Sequence, residues 1–161
     1  FSVLERAGYD RGDNMQFLIR YANGLPGRAL ELAGNEKFIQ MRQEVVDFYL
    51  ELPRKSRTEL LSLGFGFFDE RREDSGMMFS VLSSLIRDQL LMTAEADSSM
   101  LVNQDLQNKL QAAIPAKDAG SRLSSCYDSI KEAGRALALN ASFEVMICQL
   151  LLSLRKELAN A

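Results

Sequence analysis

Apolar residues recur at every third or fourth position along most of this 161-residue chain. One side of an α-helix returns with this period, whereas a half-buried β-strand requires strict alternation of apolar and polar residues. Alternating runs of Val, Ile, Thr and aromatic residues are nearly absent. The hydrophobic content of 47% is sufficient for a core. The sequence therefore predicts an all-α fold.

The beginning of the chain contains short helical segments that are separated or ended by glycines. Helices of this length are not stable alone, so we expect them to pack on another part of the chain. The predicted segments are residues 2–8, 11–22 and 25–33, and the glycines are Gly8, Gly24 and Gly34.

From Asn35 onward the predicted helices are longer. Asn35 is a suitable N-cap, and Pro53 marks the end of the helix that Asn35 begins. Ser56 and Glu59 have the spacing of a capping box, which predicts the start of a second helix. The sides predicted to face the core are Phe38, Met41, Val45, Phe48, Tyr49 and Leu52 in the first helix, and Leu60, Leu61, Leu63, Phe67 and Phe68 in the second.

Gly64 and Gly66 lie inside the second of these helices, where each glycine costs about 1 kcal/mol relative to alanine. Close packing against a neighbouring helix is the expected reason for both. Further helices are predicted over residues 76–95, 100–113, 117–139 and 142–158, with breaks at Pro115 and Asn140. The residues predicted to be buried in three of these helices are, for residues 76–95, Met78, Val81, Leu82, Leu85, Ile86 and Leu90; for residues 117–139, Leu123, Tyr127, Ile130, Gly134 and Leu137; and for residues 142–158, Phe143, Met146, Ile147, Leu150, Leu151, Leu154 and Leu158.

The residue inventory argues against catalysis by this chain. It has no histidine, so a Ser-His-Asp or Cys-His arrangement is impossible, and it has no GxxxxGK[ST] phosphate loop. Cys126 and Cys148 lack the spacing of a metal site, and we expect both to be buried thiols. We expect no metal, no cofactor and no small-molecule substrate.

Charge and hydropathy limit the classes of partner that this chain is expected to bind. The formal net charge is −3, from 19 basic and 22 acidic residues spread along the chain, which argues against a surface that grips nucleic acid by itself. The longest apolar run, residues 145–154, is too short to span a membrane, and no signal peptide is visible. We therefore expect a cytoplasmic protein. Because the chain begins with Phe1 in what resembles a helical region, we expect it to be part of a longer protein.

Clusters of charged residues are predicted to be solvated helix ends with local ion pairs. One cluster is acidic with interspersed arginines, and another is a small basic patch that could contact a phosphate or an acidic neighbour. The first comprises Asp69, Glu70, Arg71, Arg72, Glu73 and Asp74, and the second comprises Arg54, Lys55 and Arg57.

The segment GLPGRALELA, residues 24–33, could be a binding site or only a helix start. Gly24 permits a sharp turn, Pro26 suits the first helical turn, and Gly27 allows close backbone approach. Arg28 then projects from the first turn, where free N–H groups and the helix dipole favour an anion. An arginine fork suits phosphate, but, taken alone, an ordinary helix start is the better explanation of these residues.

The longer segment YANGLPGRALELA, residues 21–33, resembles the end of the lid subdomain in the δ′ subunit family of the bacterial DNA polymerase III clamp loader. In that family a G-x-P-G-R-A-L segment occupies the sensor-2 position of AAA+ ATPases. The end of the chain, SCYDSIKEAGRALALNASFEVMICQLLLSL, resembles the family's closing helix, Asn-containing break and Leu-rich final helix, with Asn140 at the break.

This resemblance implies two domains and a role in assembly. Residues 1–34 would be the AAA+ lid, with Gly24, Pro26, Gly27 and Arg28 as a sensor-2-like segment. Residues 35–161 would be a collar bundle of five or six helices. The collar domains of a five-subunit loader form a ring that holds the subunits together while the sliding clamp is placed on primed DNA. The implied partners are the τ/γ and δ subunits, with DNA contacted only indirectly.

Other classes of function remain open at this stage. The τ/γ subunit of the same machinery is an active ATPase, but its sensor-2 region usually resembles G-S-M-R-D-A, so the order Pro26-Gly27-Arg28 favours δ′. An unrelated helical adaptor becomes preferable if no nucleotide-binding domain precedes Phe1 in the full protein. An enzyme is the weakest alternative because histidine and clustered acidic groups are lacking.

Overall fold

The computed structural model describes residues 13–159, and every regular element in this range is a helix. The predicted all-α fold is therefore confirmed for this range, while the helix predicted over residues 2–8 lies outside it. The helices are α1 (Asp13–Tyr21), α2 (Pro26–Ala33), α3 (Glu36–Glu51), α4 (Arg57–Glu59, Leu60–Gly64 and Phe65–Asp69 in succession), α5 (Ser75–Thr93), α6 (Gln107–Ala112), α7 (Ala119–Ala138) and α8 (Phe143–Leu158). Short 3₁₀ turns occur at Leu52–Arg54, Arg72–Asp74, Ser98–Met100 and Gln104–Leu106.

Two helices begin as the sequence predicts. The Asn35 side chain accepts a hydrogen bond from the Phe38 N–H at 3.1 Å, which caps α3. At the start of α4, the Glu59 N–H donates to Ser56 Oγ at 3.1 Å and the Ser56 N–H donates to Glu59 Oε2 at 2.6 Å. Each bond satisfies a backbone N–H that would otherwise lack an intrahelical partner. Both predicted caps are confirmed.

The core lies between the long helices. α5 packs against α3 and α7, α7 packs against α8, and α8 also contacts α4 and the Leu52–Arg54 turn. The predicted buried sides of α3 and α8 are confirmed in full. In α7 the buried residues are Leu123, Cys126, Ile130 and Ala133, whereas Tyr127, Gly134 and Leu137 are only half-buried, so that helix presents a slightly different side to the core than predicted.

α4 departs from regular α-helical geometry at Leu60–Gly64, which is a π-helical turn. The Phe65 N–H donates to the Leu60 carbonyl, five residues earlier, so the turn holds more residues than an α-helical turn. The prediction that Leu61 and Leu63 face the core is wrong, since they are 43% and 68% exposed. The wide turn changes which positions face the core after Leu60.

The two glycines of α4 differ in their surroundings. A Cβ atom on Gly64 would lie 3.1 Å from Leu151 Cδ1, so the glycine lets α4 approach α8 closely. A Cβ atom on Gly66 would have no neighbouring atom within 4 Å. The expectation of close packing is confirmed for Gly64 and wrong for Gly66.

The helix predicted over residues 100–113 is shorter than expected. After the 3₁₀ turn Ser98–Met100, only the 3₁₀ turn Gln104–Leu106 and α6 are helical there. The backbone N–H groups of Val102 and Asn103 donate to the Asp88 carboxylate, at 3.0 and 2.6 Å. Because a buried carboxylate on α5 binds these groups, the chain before Gln104 follows α5 as an irregular segment.

The beginning of the described chain packs on the bundle. Phe17 and Leu18 of α1 and Leu32 of α2 belong to the same buried cluster as Phe38 of α3. A smaller cluster of Met15, Ala22 and Ala29 joins α1 to α2. These contacts satisfy the expectation that the short helices need a packing surface, while the division into domains at residues 34 and 35 stays a prediction.

Candidate functional site

The GLPGRALELA segment begins with a tight connection between α1 and α2. Asn23 and Gly24 both adopt left-handed backbone conformations, with φ of +53° and +73°. The Gly24 N–H donates to the Ile19 carbonyl at 3.1 Å, and the Leu25 N–H donates to the Ala22 carbonyl at 3.0 Å. Glycine adopts positive φ without the steric cost that a Cβ atom imposes, so Gly24 suits this reversal of the chain.

The first turn of α2 is suited to an anion. Pro26 is its first residue, as predicted, and the preceding residue, Leu25, has a side chain that cannot cap the helix. The first turn also contains no acidic residue. The positive end of the helix dipole and the N–H groups of the first turn are therefore not compensated by a capping or acidic side chain at this end.

Arg28 lies on this first turn and its side chain is exposed. No hydrogen bond or ion pair joins its guanidinium to the described residues 13–159. Its positive charge acts on Tyr21, whose hydroxyl donates to Ser80 Oγ at 2.7 Å. Burial raises the pKa of Tyr21, and the Ser80 hydrogen bond and the Arg28 charge oppose that rise. The segment can attract an anion, but it offers no group suited to proton transfer near neutral pH.

Asn140 lies apart from these residues, in the connection between α7 and α8. Its φ is +54°, in the left-handed region that asparagine tolerates better than most residues. The Asn140 N–H donates to the Leu137 carbonyl at 3.3 Å, and the Ala141 N–H donates to the Ala136 carbonyl at 3.1 Å. This pair of bonds is a Schellman-type helix end. The geometry gives Asn140 a role in ending α7.

Sequence reasoning missed a buried polar network between α3, α5 and residues 101–105. The Arg42 guanidinium donates to both carboxylate oxygens of Asp105 and to Asn103 Oδ1, each at 3.0 Å. The Asn103 side chain in turn donates to Asp88 at 2.9 Å and to Ser84 at 3.2 Å. Arg42, Asp88 and Asn103 are all buried. Apart from Arg42 Nε, which has no hydrogen-bond partner, the network satisfies these polar groups within the bundle, which gives it a structural role.

The same network reaches α1. The Arg42 guanidinium carbon lies 3.6 Å from the centre of the Phe17 ring, close enough for a cation–π contact. Arg20 on α1 donates to the carbonyl oxygens of Ser99 and Leu101, at 2.5 and 2.9 Å. The irregular segment that Asp88 organises is therefore also held by α1. Nothing in the sequence distinguishes Arg42 or Asp88 from charged residues on a solvated helix face.

The two cysteines differ. Cys126 is fully buried, and burial followed by the nearby Glu157 charge raises its pKa to about 12. Cys148 is partly exposed, so the prediction that it is buried is wrong; burial and Glu144 raise the pKa of its thiol as well. Cys148 lies at the edge of the core, close in sequence to the exposed residues Val145 and Gln149 of α8.

The acidic cluster forms surface ion pairs, as predicted. Asp69 pairs with Arg72 at 2.6 Å, Asp74 pairs with Lys37 at 3.2 Å, and Arg71 pairs with Glu44. Between residues 13 and 159, no group of three or more His, Cys, Asp or Glu residues is placed to hold a metal ion. No helix in the same range is long and apolar enough to cross a membrane.

Exposed apolar side chains provide another candidate contact surface. Leu139 and Val145 are 81% and 63% exposed, at the connection between α7 and α8 and on α8 itself. Leu139 lies in the connection between these two helices, and Val145 lines a groove between them, which we call the α7–α8 groove. Its lining includes Ala133, Ala136, Ala141, Val145, Met146 and Leu150. Such a surface can bury apolar area against another protein.

Comparison with known proteins adds no relative: no family model, no curated protein and no solved structure matches the chain.

Proposed function

We propose that this chain is a non-catalytic assembly region of a bacterial DNA polymerase III clamp loader, from its δ′ subunit. It acts in the cytoplasm, binds the τ/γ and δ subunits, and contacts DNA only through the assembled loader. In this role it requires no metal, cofactor or small-molecule substrate. Residues 1–34 serve as the lid and residues 35–161 as the collar.

The observation that carries the proposal is the state of Arg28. It lies on the first turn of a helix that lacks a capping side chain, after a Gly24 turn and Pro26, and it has no ion-pair partner in the described range. A sensor-2-like arginine needs this placement if the phosphate comes from another domain.

The exposed apolar residues beside the α7–α8 groove support the assembly role. Leu139 and Val145 would gain stabilisation from burial between subunits, because transfer of apolar surface out of water is favourable. The helices behind them are densely packed, so the surface can be presented without rearrangement of the core.

The test is reconstitution. The chain is mixed with purified δ and τ/γ subunits, and we expect a complex that contains all of them to elute together in size-exclusion chromatography. Val145→Asp should weaken the complex, whereas Met100→Asp, at an exposed apolar position outside the groove, should not. Elution of this folded chain apart from folded partners would refute the collar assignment and favour an unrelated helical adaptor.

A second test concerns nucleotide. Because the sequence contains no GxxxxGK[ST] phosphate loop, we expect no saturable binding of ATP to the chain in isothermal titration calorimetry and no hydrolysis. Saturable binding that is lost in Arg28→Ala would show a complete site instead of half of one. It would also bring the active τ/γ type of subunit back into consideration.

A further inference from the structure

Basic residues gather where the end of α8 meets the connection between α3 and α4. The predicted patch of Arg54, Lys55 and Arg57 is joined there by residues from two other helices. The full set, which we call the basic face, is Arg54, Lys55, Arg57, Lys109, Arg155 and Lys156. It holds six of the 19 basic residues of a chain whose formal net charge is −3. This face is therefore rich in basic residues although the chain as a whole has a negative net charge.

Defined contacts bring these side chains together. Arg155 Nε donates to the Lys55 carbonyl at 2.8 Å, which fixes the end of α8 against the α3–α4 connection. Arg57, Arg155 and Lys156 line one groove. Arg54 and Lys109 line a second groove, which Leu158 of α8 also borders. Both grooves thus border the end of α8.

Local acidic residues leave most of this charge uncompensated. Glu51 lies 3.7 Å from Lys55 and is its ion-pair partner. The Glu59 carboxylate accepts the Ser56 N–H, and this bond, with the Ser56 hydroxyl, lowers its pKa. Arg54, Arg57, Lys109 and Lys156 form no ion pair with the described part of the chain, and all four are exposed.

The helix dipole explains only part of the arrangement. Arg155 and Lys156 lie in the last turn of α8, where cations are favoured by the negative end of the helix. Arg57 lies in the first turn of α4, where a cation is disfavoured, and Arg54 lies in the 3₁₀ turn before it. Helix stabilisation does not account for Arg57, so a negatively charged ligand is the better explanation for the whole face.

The surroundings of the cations indicate what kind of anion fits. The grooves also present apolar groups, namely Leu152 in the first and Leu50, Pro53, Ala112, Ala113 and Leu158 in the second. Neither groove has an aromatic ring among its lining residues, so bases of a nucleic acid would find nothing to stack on. Carboxylates on a polypeptide with interspersed apolar side chains match both the charge and the apolar surface.

We propose that the basic face docks an acidic polypeptide segment that also carries apolar side chains. Its carboxylates pair with Arg54, Arg57, Lys109 and Lys156, and its apolar side chains enter the two grooves. The partner class follows from the charge and lining of this face alone. The proposal goes beyond the assembly role above and does not depend on it, since it uses neither Arg28 nor the α7–α8 groove.

The test measures fluorescence anisotropy of a labelled synthetic peptide of Glu-Glu-Leu repeats with the whole chain. We expect saturable binding that weakens as salt is raised, and no binding of the matched Gln-Gln-Leu peptide. The double variant Arg57→Glu/Lys156→Glu should bind the acidic peptide about tenfold more weakly, because two attractive pairs become repulsive. The control Lys117→Glu/Arg135→Glu changes the net charge equally at two other exposed positions and should bind as the parent chain does.

The test includes one further variant and one further ligand. Arg57→Gln/Lys156→Gln removes the charges without reversing them and covers the case in which the Glu variant does not fold, as judged by circular dichroism. A labelled oligothymidylate is titrated in parallel. Equal loss in the control variant, absence of peptide binding by the parent chain, or tighter binding of the oligonucleotide than of the peptide would each overturn the proposal.

Discussion

At the scale of single residues, Asp88 joins α5 to the irregular segment at residues 102 and 103. It is fully buried on α5 and accepts hydrogen bonds from the backbone N–H groups of Val102 and Asn103 and from the Asn103 side chain. Its charge is balanced by Arg87, whose guanidinium lies 3.2 Å away. Removal of one member of a buried polar group costs more than the bond itself, because its partners are left without acceptors.

We predict that Asp88→Ala lowers the free energy of unfolding by about 3 kcal/mol, since the three donors of residues 102 and 103 and the Arg87 guanidinium would lose their acceptor. Urea unfolding, monitored by circular dichroism, measures this change in the free energy of unfolding. The matched control is Asp128→Ala, which removes an exposed carboxylate from α7 and should change stability by less than about 0.5 kcal/mol. Similar midpoints for the two variants would contradict the prediction.

Cys126 predicts a dependence of stability on pH. Its pKa is raised to about 12 in the folded chain, so the unfolded thiol ionises first as pH rises. The stabilisation is fully present below the unfolded pKa of about 8.5 and is lost between that pH and about 12, by at most about 1.4 kcal/mol per pH unit. We therefore expect urea unfolding under reducing conditions, at several pH values above neutrality, to show that stability declines less steeply with pH in Cys126→Ala than in the parent chain.

Cys148→Ala is the control, because Cys148 is partly exposed and close to Glu144. We expect its decline with pH to follow that of the parent chain more closely than Cys126→Ala does. If both alanine variants declined as steeply as the parent chain, the effect would belong to other groups, such as the buried hydroxyl of Tyr49, whose pKa is also raised by burial.

At the scale of the elements, α4 shows what sets helix geometry in this chain. Its capping box fixes where it begins, and Gly64 lets it approach Leu151 of α8. Between these two points the π turn places Leu61 and Leu63 outward. Two constraints therefore set the path of α4: the capping box at its start and the close contact of Gly64 with α8.

The two glycines of α4 allow a paired test. Gly66→Ala should raise the free energy of unfolding by about 0.5 to 1 kcal/mol, because alanine favours the helix and its methyl group meets no neighbour. Gly64→Ala should gain less or lose stability, since its methyl group would lie 3.1 Å from the buried Leu151 side chain. Thermal and urea unfolding compare the two, and a larger gain for Gly64→Ala would show that the α4–α8 contact is loose.

Element positions were predictable where local spacing decides them. The buried side of α8 and the caps at Asn35 and Ser56 follow from residues within a few positions of one another. The segment at residues 100–103 was not predictable, because a carboxylate on α5 competes for its backbone N–H groups. The same holds for Leu61 and Leu63, whose exposure depends on a π turn that no local residue pattern specifies.

The candidate site was predictable only in part. Pro26 starts α2 and Gly24 takes a positive φ, as their residue types indicate. The grouping of Arg155, Lys156 and Lys109 with Arg54 and Arg57 could not be read from the sequence, because it depends on which helix ends meet. The three parts of that face lie more than forty residues apart along the chain, and tertiary packing alone brings them together.

At the scale of the whole molecule, α1 and α2 share buried contacts with the bundle. Phe17 lies between the Phe38 ring, with centroids 6.4 Å apart, and the Arg42 guanidinium. Arg20 and Tyr21 add hydrogen bonds to residues 99–101 and to Ser80. Stability is therefore expected to be shared across the predicted boundary at residue 34.

We predict that the chain unfolds in one transition and that Phe17→Ala shifts that whole transition, at a cost of about 3 kcal/mol for loss of a buried aromatic ring. Circular dichroism and tyrosine fluorescence should give the same midpoint in both proteins. Leu25→Ala, at a 58% exposed position in the same part of the chain, is the control and should leave the midpoint unchanged. Two separate transitions would indicate that residues 1–34 fold independently.

The π turn in α4 also bears on how the length of this chain can vary. A turn closed by a bond across five residues accommodates one residue more than an α-helical turn. Deletion of the exposed Ser62 would let each such bond close across four residues instead, with Leu60 and Phe68 kept on the core side. We therefore expect that this helix interior can lose one residue without disruption of the core, a tolerance that is usually confined to surface loops.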